Sequence, residues 1–250
     1  MNIALLNKSD LSILNKRSLK YKLADAEKDY LLAVVSKVIY DSSLRKKLVF
    51  KGGTAIHHCY LPQTRFSEDL DFTSLDKTIS LGEVKAILES QDFLQVKEEC
   101  ISGATMKIER LKYSGPLGLP NSLKVEIDFL QNVVLPAHTL PYKNTWKVDT
   151  KVNVMDVREI CAEKIRATSG RARYRDFYDL VLLLGKFKFD FQEIKDLISQ
   201  KEIRKPITRA SIAANWALAK KEKERELGSI YYAGGVSDEA IKAMTEKIKI

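Results

Sequence analysis

The sequence predicts an α+β half followed by an all-α half, changing character near residue 155. Three observations carry this reading. The short apolar run Leu48-Val49-Phe50 leads into Gly52-Gly53, the mark of a buried strand meeting a tight turn. Polar and apolar residues alternate through 105–113 and again through 123–130, the period of a half-buried strand. From Asp156 onward the apolar residues recur at helical spacing. Residues 1–155 are therefore expected to form one domain and 156–250 a helical bundle.

Taken in order, residues 11–24 read as a helix and 25–40 as a second. In the second, Tyr30, Leu31, Val34, Val35, Val38 and Ile39 form a buried stripe. After the 48–50 strand, Thr54 is placed to cap a short helix over 55–61 that stops at Pro62. Residues 69–73 read as a strand and 81–91 as a helix. The alternating segments flank the Gly- and Pro-bearing stretch 114–121 and are expected to pair antiparallel. Residues 131–150 are loop-rich, and 151–155 read as a last strand. Asp156 with Glu159 three residues later fits a capping box. Helices then follow over 156–169, 174–186, 190–200, 206–227 and 237–249, punctuated by Arg204-Lys205-Pro206 and Gly234-Gly235.

Composition narrows the function classes. The net charge of +9 is distributed, with 22 basic against 18 acidic residues before position 156 and 20 against 15 from position 156 onward. No basic tail explains the excess, which favours contact with polyanions such as RNA or nucleotides. Cys59, Cys100 and Cys161 have no paired spacing, and no signal peptide is evident, so reduced thiols in a cytoplasmic protein are expected. No apolar run reaches the roughly 20 residues of a membrane span. Neither His57, His58 nor His138 has the spacing of a zinc ligand.

The segment Arg65-Phe66-Ser67-Glu68-Asp69-Leu70-Asp71-Phe72 carries the chemistry. On a strand, Asp69 and Asp71 project to one face while Leu70 and Phe72 face a core. Two adjacent carboxylates repel unless a cation lies between them, and oxygen donors suit Mg2+ or Mn2+. Such ions serve phosphoryl and nucleotidyl transfer. The strand Lys124-Val125-Glu126-Ile127-Asp128-Phe129 offers Glu126 or Asp128 as a third ligand. A solvated strand edge is the alternative. Gly52-Gly53-Thr54 argues against it, because glycines between a strand and a helix let backbone N–H groups approach a phosphate. The spacing is neither that of a P-loop nor that of a dinucleotide fold.

Lys51-Gly52-Gly53-Thr54-Ala55 with Arg65 to Phe72 resembles the first motif of the AbiEii/AbiGii toxin family, nucleotidyltransferases of the DNA polymerase β-like superfamily. Glu159-Ile160-Cys161-Ala162-Glu163-Lys164-Ile165-Arg166-Ala167 and Arg175-Asp176-Phe177-Tyr178-Asp179-Leu180 resemble two later motifs, in the family's order. The resemblance implies a polymerase β-like domain, with a mixed sheet flanked by helices, ahead of the bundle. It implies an NTP- and metal-dependent transferase with Asp69 and Asp71 as ligands, the second acidic position at Glu126 with Asp128 as the alternative, and Gly52, Gly53 and Ser67 near the triphosphate. It also implies roles for Lys164 and Asp176, toxin activity with a cognate antitoxin, and RNA, tRNA in particular, as acceptor.

Read from helical spacing, Lys164 lies beside an apolar stripe and either snorkels to water or reaches a phosphate or acid. Asp176 either caps its helix or holds Arg175 and Lys164, or else faces a cleft with Lys164. Asp179 is expected to be structural. Arg171, Arg173 and Arg175 are candidates to grip RNA phosphates, with solvation as the alternative. Two other functions compete: transfer to a small molecule or protein hydroxyl, and a non-catalytic nucleotide- or RNA-binding module.

Overall fold

The computed structural model describes residues 2–201 and 206–248. Asn7 caps α1 (Lys8–Arg17) by accepting the Asp10 amide. This helix stops seven residues short of the expected end because Asn15 turns the chain. The Asn15 side chain donates to the Tyr21 carbonyl at 2.8 Å and accepts from its amide at 3.0 Å. Lys20 takes a φ of 56° in that turn. α2 (Leu23–Tyr40) then runs buried on nearly every side and packs against one face of the sheet.

That sheet is built from β1 (Leu48–Lys51), β2 (Asp69–Ser74), β3 (Leu94–Ile101), β4 (Thr105–Tyr113), β5 (Asn121–Asp128), β6 (His138–Pro141) and β7 (Lys151–Val154). Its order is β3-β4-β5-β2-β1-β7-β6. β2 runs parallel to β5 and antiparallel to β1, while β1 runs parallel to β7, so the sheet is mixed. β3 and β6, the two edges, are absent from the sequence pattern. Register shifts around Glu98 break the alternation of β3, whose residues 97–101 are exposed. Pro141 is tolerated in β6 because it lies on an edge strand.

α3 (Gly52–Ala55) passes directly into a π-helical turn, Ile56–Tyr60. Thr54 is therefore inside the helix, and Lys51 occupies the cap position that the sequence assigned to Thr54. α4 (Leu81–Leu88) lies between β2 and β3 in the chain. The remaining helices are α5 (Val157–Gly170), α6 (Tyr174–Lys186), α7 (Phe191–Ser199), α8 (Arg209–Ser229) and α9 (Asp238–Lys247). Asp156 caps α5 by accepting the Arg158 amide, but the expected capping box is incomplete. Glu159 instead accepts from the Val134 and Leu135 amides at 2.9 and 3.1 Å. Arg204, Lys205 and Lys249 lie outside the described residues.

Two buried clusters hold the molecule together. One joins the sheet to α1, α2 and α4, and the other joins α5 to α9. Ile160 of α5 and Leu183 of α6 belong to the first, so these two helices dock against the sheet. Among the described residues, no helix is long and apolar enough to cross a membrane.

Candidate active site

Strand alternation sorts the side chains of β2. Leu70 and Phe72 are fully buried, with Phe72 against the rings of Phe50 and Tyr40. Asp69 and Asp71 project to the other face, into a cleft of about 800 Å³ between the sheet and helices α5 and α6. The parallel register sets Glu126 of β5 beside Asp71 and Asp128 beside Thr73. Asp69, Asp71 and Glu126 thus share one surface.

The two candidates for third acid differ in what already engages them. Asp128 Oδ1 accepts from the Leu130 and Gln131 amides at 2.8 and 3.0 Å, and Oδ2 lies 3.2 Å from Lys51 Nζ. Both of its oxygens are committed. Glu126 is engaged through Oε2 by Lys107 at 3.1 Å. Burial, with the nearby charges of Asp69 and Glu126, pushes the Asp71 carboxyl up from 3.8 to about 6. Asp69 is also raised, by burial and by Glu68. Crowded carboxylates with raised pKa values are the donor chemistry that a divalent cation relieves, although no three acidic, His or Cys side chains among the described residues are drawn together closely enough to hold an ion.

The glycines lie against these acids. Gly52 takes a φ of +78°, and a Cβ there would lie 2.3 Å from Asp71 Oδ2. A Cβ on Gly53 would lie 2.4 Å from Arg65 Nη2 and 2.8 Å from Ser67 Oγ. Gly52, Gly53 and Ser67 all line the cleft. Thr54 is fully buried, and its hydroxyl donates to the Asp69 carbonyl at 2.5 Å. It ties α3 to β2 and does not face the cleft.

The helices close the other side. Lys164 of α5 reaches Asp176 Oδ1 at 2.9 Å and Asp179 Oδ2 at 2.8 Å, and both Lys164 and Asp176 line the cleft. Burial would lower the Lys164 ammonium, but the two carboxylates outweigh it and hold it above its ordinary value. Burial likewise opposes ionisation of Asp176, and Lys164 and Arg171 overcome it. Arg171 donates to Asp176 at 2.7 Å through Nε, so Asp176 holds Lys164 and Arg171, not Arg175. Arg173 and Arg175 line the cleft and form no ion pair within 4 Å among the described residues. Burial and repulsion by Arg171 and Arg175 lower Arg173.

Several residues escaped the sequence reading. Lys51 bridges Asp128 and Glu163, the latter at 3.6 Å. Arg65 is fully enclosed and doubly bonded to Asp179. His57 Nε2 lies 3.0 Å from the same carboxylate. A charged residue closing an apolar strand was the available signal for Lys51. For Arg65 and His57 the partner is more than 110 positions away.

With this geometry, comparison with known proteins is informative. A family model described as nucleotidyl transferase AbiEii toxin, type IV TA system, matches residues 34–238. The fold is similar to that of MenT4, a nucleotidyltransferase toxin from Mycobacterium tuberculosis H37Rv, with a TM-score of 0.60. The match covers 96% of this chain and 99% of that one at 16% identity, which speaks to fold alone. A search of curated proteins finds no match.

Proposed function

The chain belongs to the AbiEii family of nucleotidyl transferase toxins of type IV toxin–antitoxin systems, and from that premise we propose that it moves a nucleoside monophosphate from an NTP to RNA, tRNA in particular, using Mg2+ or Mn2+. The observation that carries this reading is the shared face of Asp69, Asp71 and Glu126, set in register beside the Gly52-Gly53 turn. Asp69 and Asp71 would hold the ions, with Glu126 as third ligand in preference to the doubly committed Asp128. Bound divalent ions neutralise a triphosphate and acidify an attacking hydroxyl.

The chain's own groups do the rest. The Gly52-Gly53 turn leaves room for phosphate oxygens where any Cβ would intrude, and the Ser67 hydroxyl is an adjacent donor. Lys164 is a fixed ammonium on the far wall, suited to charge developing on departing pyrophosphate. Arg173, Arg175 and Lys124 border the same cleft and supply positive potential for an RNA backbone. A cognate antitoxin is implied by the family.

The test is transfer by purified Asp69→Ala and Asp71→Ala proteins, with folding checked by circular dichroism. Each is expected to lose at least about a hundredfold in turnover while staying folded. Near-normal turnover in either folded variant refutes the assignment.

A further inference from the structure

Two parts of the proposed nucleotide site converge on one carboxylate that does not itself border the cleft. Asp179 of α6 is fully buried. It accepts from Arg65 Nε and Nη2, both at 2.7 Å, in a bidentate fork. Lys164 Nζ lies 2.8 Å from its Oδ2, and His57 Nε2 lies 3.0 Å from its Oδ1. The two cations serve different walls. Arg65 Nη2 fills the space beneath Gly53, and Arg65 Nη1 donates to the Phe66 carbonyl at 2.9 Å, so Arg65 buttresses the segment that carries Ser67. Lys164 stands on α5, paired also with Asp176 one helical turn before Asp179.

The charges support a directed role. Arg65, Lys164 and Arg171 meet Asp176 and Asp179, three cations against two anions. Burial keeps His57 on the neutral side despite the pull of Asp179. The third cation, Arg171, also faces the carboxylates of Asp71 and Glu126 across the cleft. Packing alone would be served by a neutral pair or an apolar residue.

We infer that Asp179 is a positioning residue, which fixes the separation between the Gly53–Ser67 wall and the Lys164 ammonium by gripping Arg65 and Lys164 at once. This rests on the reading of the cleft as an NTP site. The segment around Arg65 has independent support, since the Phe66 amide donates to the Tyr231 carbonyl at 2.9 Å and the Ala233 amide to the Thr64 carbonyl at 2.7 Å. Arg65→Lys is therefore expected to fold, keeping the charge and losing the fork.

The test uses the full chain, with kcat and KM for the NTP measured for Arg65→Lys, Asp179→Asn, Lys164→Ala and the Lys164→Ala/Asp179→Asn double variant. Arg65→Lys is expected to raise KM about tenfold with kcat changed less than about threefold. Asp179→Asn is expected to raise KM as Arg65→Lys does and to lower kcat at least about a hundredfold, the kcat effect adding little once Lys164 is gone. Fully multiplicative losses in the double variant, or an unchanged KM in Arg65→Lys, overturn the inference. Should Asp179→Asn fail to fold, the KM of Arg65→Lys decides. Asp69→Ala is run alongside. Activity there sinks the NTP-site reading itself, whereas inactive Asp69→Ala beside fully active Asp179→Asn sinks the positioning role alone.

Discussion

Glu163→Gln probes the ionic link between the start of the glycine turn and α5. Glu163 Oε1 accepts from Lys201 Nζ at 2.9 Å and lies 3.6 Å from Lys51 Nζ, with the side chain only 14% exposed. Burial pushes its carboxyl up, but Lys51 and Lys201 outweigh burial and bring it from 4.5 down to about 2. A carboxyl displaced by that amount contributes about 3 kcal/mol at neutral pH, since each pH unit is worth about 1.4 kcal/mol. This is an upper limit, because Lys51 keeps Asp128 and Lys201 keeps Glu159 after the substitution. The sign follows from the depressed value: the contribution is fully present above 4.5 and fades as pH falls toward 2. Urea denaturation of both proteins should therefore give a difference of up to about 3 kcal/mol at pH 7, shrinking to no more than about 1 kcal/mol at pH 3. The corresponding fall in Tm at neutral pH is at most about 6–12 °C. A difference that is independent of pH, or below about 0.5 kcal/mol at pH 7, refutes the reasoning.

Three further outcomes are expected. In chelator, Asp71→Asn should match the parent below pH 4 and exceed its stability at pH 7.5. The raised carboxyl of Asp71 loses stability as pH rises through about 6, and Asn does not; equal melting curves at pH 7.5 contradict this. Gly53→Ala should weaken binding of a fluorescent NTP at least about tenfold, because the Cβ meets an Arg65 that Asp179 holds in place; unchanged affinity counts against the turn as a phosphate cradle. Thr54→Val removes the buried hydroxyl donated to the Asp69 carbonyl and should cost about 1–3 kcal/mol in denaturant, and undiminished stability would deny that tie.

The acidic face was legible because strand period is strict: Asp69 and Asp71 could be placed together from spacing alone, as could Glu126 and Asp128. Which strand neighbours which was not, and only the β2–β5 register brings Glu126 beside Asp71. Strand geometry alone offered Glu126 and Asp128 equally, and the engagement of Asp128 by Lys51, 77 positions away, could not be read from the sequence. Lys164 and Asp176 were legible as charges on apolar helix faces, but not that Lys164 is shared between Asp176 and Asp179. The edge strands escaped because β3 is bulged and exposed and β6 carries a proline. The end of α1 escaped because a side chain, Asn15, terminates it without glycine or proline.

The most direct test of metal-dependent nucleotidyl transfer to RNA is incubation of the protein with each α-labelled NTP, Mg2+ and total cellular RNA, alongside Asp69→Ala. The account predicts label in an RNA band, tRNA-sized, that requires both Mg2+ and the intact Asp69. Label entering protein or small molecules instead, or RNA labelling that persists in Asp69→Ala, contradicts it.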